Sequence, residues 1–156
     1  MIYRLAVESD FAQLAELRWE FRTELHPASP GITRKVFLPV CLTFLQRAYT
    51  GGNWAFWVAE EDGRIIANAY VQRILKVPNP NRLDPEFGYI TNVFTRPEYR
   101  NHGIGARLIR QVQQWGREQR LEMFVLWPSR RSGPFYQRAG FHPGGEALEC
   151  SLDEEP

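Results

Sequence analysis

The stretch Val93-Phe94-Thr95-Arg96-Pro97-Glu98-Tyr99-Arg100-Asn101-His102-Gly103-Ile104-Gly105-Ala106 runs from an apolar strand through a turn and a two-glycine bend into the first turn of an amphipathic helix. The first amides of a helix have no partner within it and point out at its positive end, so a strand feeding a Gly-rich bend into that end makes an anion cradle. Glycine at 103 and 105 suits such a cradle, because it permits positive φ and leaves no Cβ in the way of a close-lying diphosphate.

Two familiar phosphate loops fit this stretch poorly. A nucleotide P-loop needs Gly-Lys followed by Ser or Thr, and the only lysines are Lys35 and Lys76, neither near the bend. A dinucleotide fingerprint needs a third glycine where Leu108 stands. The remaining pattern, Arg100-x-x-Gly103-x-Gly105, resembles the acyl-coenzyme A loop of the GNAT superfamily of N-acetyltransferases. Its downstream half follows in order: an apolar run from Leu121 to Trp127, then Ser129-x-x-Ser132-x-x-Phe135-Tyr136-x-x-x-Gly140-Phe141, similar to the family's tyrosine and Gly-Phe that end a short helix. Together the two halves cover roughly residues 87 to 142.

The resemblance implies a single α/β domain over residues 1–156, with a mixed central sheet of six or seven strands flanked by helices around a β-α-β acyl-CoA-binding core. It implies acetyl-CoA as cosubstrate. Backbone of the Val93, Phe94 and Thr95 segment would pair with the pantetheine arm, and amides of Asn101, His102, Gly103, Ile104, Gly105 and Ala106 would hold the diphosphate. Arg100 would add charge or fix the loop, and Ser129 stands where many members carry a cofactor-contacting Asn. In the family the amine attacks directly, so no nucleophilic Ser or Cys is required, and Tyr136 matches the residue that protonates the departing sulfur. Some relatives place a glutamate in mid-strand as base, where this chain has Tyr89, Thr91 and Asn92; Glu86 is the nearest carboxylate and the candidate base. The expected reaction is acetylation of a primary amine on a small molecule, the alternatives being a protein N-terminus or lysine as acceptor, or a non-catalytic acyl-CoA-binding module. A homodimer is common among such domains.

Composition bounds the rest. A chain of 156 residues with 44% hydrophobic and 24% charged residues can bury one ordinary core. No apolar run reaches a membrane span, no signal-peptide core follows Met1, and Cys41 and Cys150 stand far apart, so the expected setting is the cytoplasm, with neither a disulfide framework nor a metal site. The net charge of +1 hides an asymmetry: residues 96–138 hold nine arginines against Glu98, Glu118 and Glu122, while residues 1–95 balance ten against ten. The surplus lies on the half carrying the anion loop, as a polyanionic cofactor requires, and no basic stripe runs the length of the chain as nucleic-acid binding would need.

The periodicities predict alternating elements. Tyr3 to Val7 reads as a strand. Asp10 reads as the N-cap of a helix with Leu14, Leu17, Phe21 and Leu25 on its buried face, ending near His26-Pro27. A second helix is expected from Pro39, at its first turn, to Tyr49. Trp54 to Ala59 and Arg64 to Leu75 form a hairpin about Asp62-Gly63, and the proline-rich 77–85 segment is a loop. Phe87 to Thr95, Ile104 to Gln119 and Leu121 to Trp127 make the strand, helix, strand unit. Ala147 to Leu152 reads as a last edge strand, and residues 153–156 as a frayed tail. Trp19, Phe21, Trp54, Trp57 and the 77–85 loop are the candidate walls of the acceptor pocket.

Overall fold

Strands Trp54–Glu61 (β2) and Arg64–Leu75 (β3) meet at Asp62-Gly63, where φ values of +49° and +77° give the doubly left-handed turn that matches strand twist. The structure, a computed structural model, describes residues 1–24 and 26–144; Leu25, the edge strand expected at 147–152 and the tail at 153–156 lie outside the described residues. Strand Ile2–Leu5 (β1) pairs antiparallel with β2, and β3 with Glu86–Thr95 (β4). Phe124–Val125 (β5) pairs parallel with β4. The sheet order is β1-β2-β3-β4-β5, so the described residues form five strands rather than the six or seven expected.

Helices Phe11–Thr23 (α1) and Arg34–Thr50 (α2) cover one face, and Ile104–Glu118 (α3) the other; a short helix, Gly133–Arg138 (α4), follows β5. Alternation within β2 divides the core: Phe56 and Val58 pack with Leu14, Leu17 and Leu45, while Ala55, Trp57 and Ala59 pack with Leu108, Ile109 and Val112. Helix α2 begins five residues earlier than expected. Thr33 caps it by accepting from the Val36 amide, and Pro39 lies within it on an exposed position, where the carbonyl it cannot serve faces solvent. Asp10 immediately precedes α1, but its carboxylate accepts from the Val7 amide at 2.8 Å and from Arg4 at 2.6 and 2.9 Å instead of capping the helix. The Arg4 hydrogen bonds hold that carboxyl below its ordinary value. Its stabilisation is therefore complete above about 3.9, the unfolded value, and is lost as pH falls through the lower folded value. Asp10→Asn keeps an acceptor for Val7 but removes the charge facing Arg4, and is expected to cost about 1–3 kcal/mol in urea unfolding at pH 7.

Strand β4 carries a bulge. Asn68 opposes Phe94 and Tyr70 opposes Thr91, so two steps on β3 span three on β4, and Asn92 takes φ of +49°. The extra residue inverts the strand's phase. Ile90 packs on the α3 side and Phe94, four residues on, packs on the α1 side.

Candidate active site

Strand β5 touches β4 only at Gly88 with Phe124 and Tyr89 with Val125, well short of the 121–127 strand expected. Pro128 follows closely, and the bulge bends β4 away, so β4 from Ile90 to Thr95 has no strand partner on that side among the described residues. The opening leads into a cleft of about 800 Å³ between the end of β4, the start of α3, and α4.

The loop into α3 is built by local conformation. Pro97–Tyr99 forms one tight turn, Asn101 and Gly103 take φ of +64° and +74°, and the first helical bond runs from the Arg107 amide to the Gly103 carbonyl. The preceding amides of Ile104, Gly105 and Ala106 face the cleft end without helical acceptors. A Cβ at Gly105 would lie 3.5 Å from both Phe135 Cζ and Thr95 Oγ1, an ordinary contact, so the protein itself has room for alanine there. Arg110, Arg131 and Arg138 line the same cleft, and none is ion-paired among the described residues. Uncapped amides, a close-approach glycine and three guanidiniums without an ion pair among the described residues are the donor set a di- or triphosphorylated cofactor needs.

Of the sequence candidates, Val93, Phe94, Thr95, Arg100, Asn101, Gly103, Ile104, Gly105, Ala106, Ser129 and Tyr136 all line this cleft. His102 does not; its side chain is exposed beside the bend. Arg100 is occupied: its Nε donates to the Thr95 carbonyl at 2.9 Å, and its two terminal nitrogens reach Glu24 at 2.7 and 2.6 Å. The hydrogen bonds to Arg100 hold the Glu24 carboxyl below its usual range. Arg100 thus ties the loop to α1 rather than offering a free charge. Ser129 Oγ lies 2.9 Å from Ser132 Oγ at the start of α4.

Tyr136 sits on α4 with its ring edge-on to Phe135 and Phe141, at centroid distances of 4.9 and 5.7 Å. Burial pushes its phenol up to about 12. Glu86 does not line this cleft. It opens β4 about seven residues, roughly 20 Å of strand, before Val93, and its carboxylate accepts from Arg73 Nε at 2.9 Å and Nη2 at 2.5 Å. That ion pair joins β3 to the opening of β4.

The expected acceptor walls also separate. Phe21 lines the cleft, stacked on Phe94 at 5.2 Å. Trp54 packs on Phe44 and Phe56, Trp57 on Trp115, and Trp19 on Phe37, as core and helix-packing rings. The 77–85 loop joins β3 to the opening of β4, at the far end of that strand. At the bulge Asn92, one of the three residues standing where some relatives carry a mid-strand glutamate, meets a residue the sequence pattern does not single out: Arg18 of α1, whose Nη1 donates to Asn92 Oδ1 at 2.7 Å. An asparagine within an otherwise β-favouring strand was the available signal.

A parallel strand pair that parts after two residues, an uncapped helix start and a tyrosine lining the same cleft fit an acyl-CoA-dependent acyltransferase, and the chain belongs to the Acetyltransferase (GNAT) family, whose model matches residues 11–141. Among curated proteins it is similar to a glucosamine 6-phosphate N-acetyltransferase of Trypanosoma brucei brucei, 32% identical over 90 residues. That match takes in 58% of this chain and covers 59% of the length of the relative. A predicted acetyltransferase from Clostridium acetobutylicum, solved with acetyl-CoA, superposes with a TM-score of 0.80 at 26% identity over 97% of this chain and 96% of that one. A GCN5-related N-acetyltransferase from Ralstonia eutropha JMP134, at 24% identity and TM-score 0.77 over 97% and 99% of the two chains, shares the fold. Among the described residues no helix is long and apolar enough to cross a membrane, and no three or more His, Cys, Asp or Glu side chains converge as metal ligands would.

Proposed function

We propose that the protein transfers an acetyl group from acetyl-CoA to a primary amine on a small molecule by direct attack. The observation carrying this reading is that Tyr136 lines the same cleft as Ile104, Gly105 and Ala106 at the start of α3 and as Arg110, Arg131 and Arg138. Acetyl-CoA supplies a thioester-activated acetyl group. The amides of Ile104, Gly105 and Ala106, with Arg110, Arg131 and Arg138, bind its phosphates, and the unpartnered edge of β4 from Ile90 to Thr95 orients the amide-bearing arm as an added strand would be. Tyr136 holds a proton on its oxygen and delivers it to the departing sulfur. The relative that acts on glucosamine 6-phosphate supports a small-molecule acceptor.

Calorimetric titration with acetyl-CoA, with ATP and NAD as controls, tests the reading. Saturable micromolar binding of acetyl-CoA alone is expected, and no binding would overturn it. Gly105→Ala serves as the site control. Its Cβ makes only ordinary contacts with Phe135 and Thr95, so the protein has room for it. A methyl at this position crowds a close-lying diphosphate, and acetyl-CoA affinity is expected to fall at least about tenfold, the loss of one charge-assisted hydrogen bond.

A further inference from the structure

The α1 side of β4 carries a positive charge that no carboxylate among the described residues balances. Arg4, Arg73, Arg96 and Arg100 each meet a carboxylate oxygen at 2.6 Å or less. Arg18 meets none among the described residues. Its contacts are Asn92 Oδ1 and the face of Phe21, 5.9 Å from the guanidinium carbon. The other groups within electrostatic reach are Arg22, which repels it, the Tyr89 side chain, and Tyr70 and Cys41, which burial keeps neutral at pH 7. Burial lowers its pKa from the usual value, yet a guanidinium stays protonated, and among the described residues the cost of desolvating it is offset only by one neutral acceptor and one ring face.

A second observation falls at the same place. The Tyr70 hydroxyl and the Asn92 amide nitrogen are both buried and near enough for the amide to act on the phenol, and neither finds a well-formed hydrogen bond to any other group among the described residues. Buried polar atoms are nearly always paired. Here the unsatisfied atoms include a hydroxyl and an amide donor, beside a guanidinium with further N–H groups to give. They meet at the bulge, where Asn92 immediately precedes the cleft-lining Val93. Oxyanions are the ligands that satisfy several convergent donors and one positive charge at once.

We propose that Arg18, with Tyr70 and Asn92, binds an anionic group, a carboxylate or a phosphate, carried by the amine acceptor; this rests on the acetyltransferase reading above. The cofactor's phosphates are served by the arginines around α3 and α4, so the charge on the α1 face is left for the second substrate. Arg18 is then a specificity-determining residue: it places the acceptor with its amine toward the end of the β4 opening.

Matched acceptors test this: glucosamine against glucosamine 6-phosphate, and phenylalaninamide against phenylalanine, assayed by coenzyme A release with wild type, Arg18→Gln and Arg18→Lys. The anionic member of one pair is expected to be favoured at least about tenfold in kcat/KM, mainly through KM, as one charged hydrogen-bonded contact gives. The favoured pair tells phosphate from carboxylate. Arg18→Gln should bring the ratio to within about twofold and Arg18→Lys should keep part of it, since lysine retains the charge but not the fork. A parallel titration of the acetyl-CoA-saturated protein with inorganic phosphate and with acetate, followed by tryptophan fluorescence, should show saturable binding that Arg18→Gln abolishes. Equal or better use of the neutral acceptors, an unchanged ratio in Arg18→Gln, or turnover of none of the four with neither anion bound would each overturn the proposal. Acetyl-CoA calorimetry separates the two failures. Binding kept without anion preference sinks this inference alone, and binding lost in the wild type sinks the acetyltransferase reading beneath it.

Discussion

Replacing Tyr136 by phenylalanine is expected to lower kcat by about 10²–10⁴-fold, the usual worth of a positioned general acid, while acetyl-CoA affinity changes little. The ring contacts with Phe135 and Phe141 remain in the variant, and only the hydroxyl goes. A pH profile separates this role from a packing role. The acid must carry its proton, and burial has moved its pKa from about 10 up to about 12. The protonated phenol therefore persists over the range in which an alkyl amine, with a reference value near 10.4, sheds its proton. The wild-type rate should rise with pH until the acceptor is neutral, with no descending limb from Tyr136 below about 12. A variant that keeps wild-type turnover would refute the assignment.

The second large effect concerns stability. Phe124 lies between α3 and β4, and a Cβ at Gly116 would sit 2.4 Å from its Cζ, while one at Gly88 would sit 2.5 Å from its Cδ1. Because the two glycines hold opposite sides of one ring, the ring cannot swing from one without striking the other. Gly116→Ala in an open helix interior would gain roughly 1 kcal/mol from helix propensity. Here the overlap reverses the sign, and a net loss of about 1–3 kcal/mol is expected from overpacking. The same substitution in a Phe124→Leu background should recover much of that loss, which makes the coupling measurable by urea unfolding. A stabilised Gly116→Ala single variant would show that the ring is not held there.

What the chain disclosed in advance depended on how local the determining physics was. The Asp62-Gly63 hairpin, the strand, bend and helix from Val93 to Ala106, and the Tyr136 segment were legible because each is fixed by residues within a few positions of one another. The start of α2 was missed because Pro39 looked like a first-turn residue, whereas Thr33 caps the helix six positions earlier and exposure makes the proline tolerable. Glu86 looked available because its partner Arg73 is thirteen residues away across the β3–β4 pair. The same limit hid Arg18. Its partner Asn92 is 74 positions distant, and an arginine on a helix reads as a solvated one until the opposite strand is in place. Strand β5 came out shorter than its apolar run because pairing, and not hydrophobicity, ends it: β4 bends away at a bulge that alternation alone does not announce.

That bulge also sets what changes of length the chain can absorb. In most strands a lost or gained residue near an end is taken up by the adjoining loop. Between Ile90 and Phe94 it is not, because the two residues serve opposite core layers across an even step of four, which only the bulge between them allows. Deleting one residue there would make the ladder with β3 regular and, by the same act, send Phe94 toward α3, pull Arg100's acceptor on Thr95 out of register and straighten the edge that now diverges from β5. Shortening by one is thus a heavier lesion than most substitutions in the same strand. The residue count of β4, as much as its composition, belongs to the specification of the cleft.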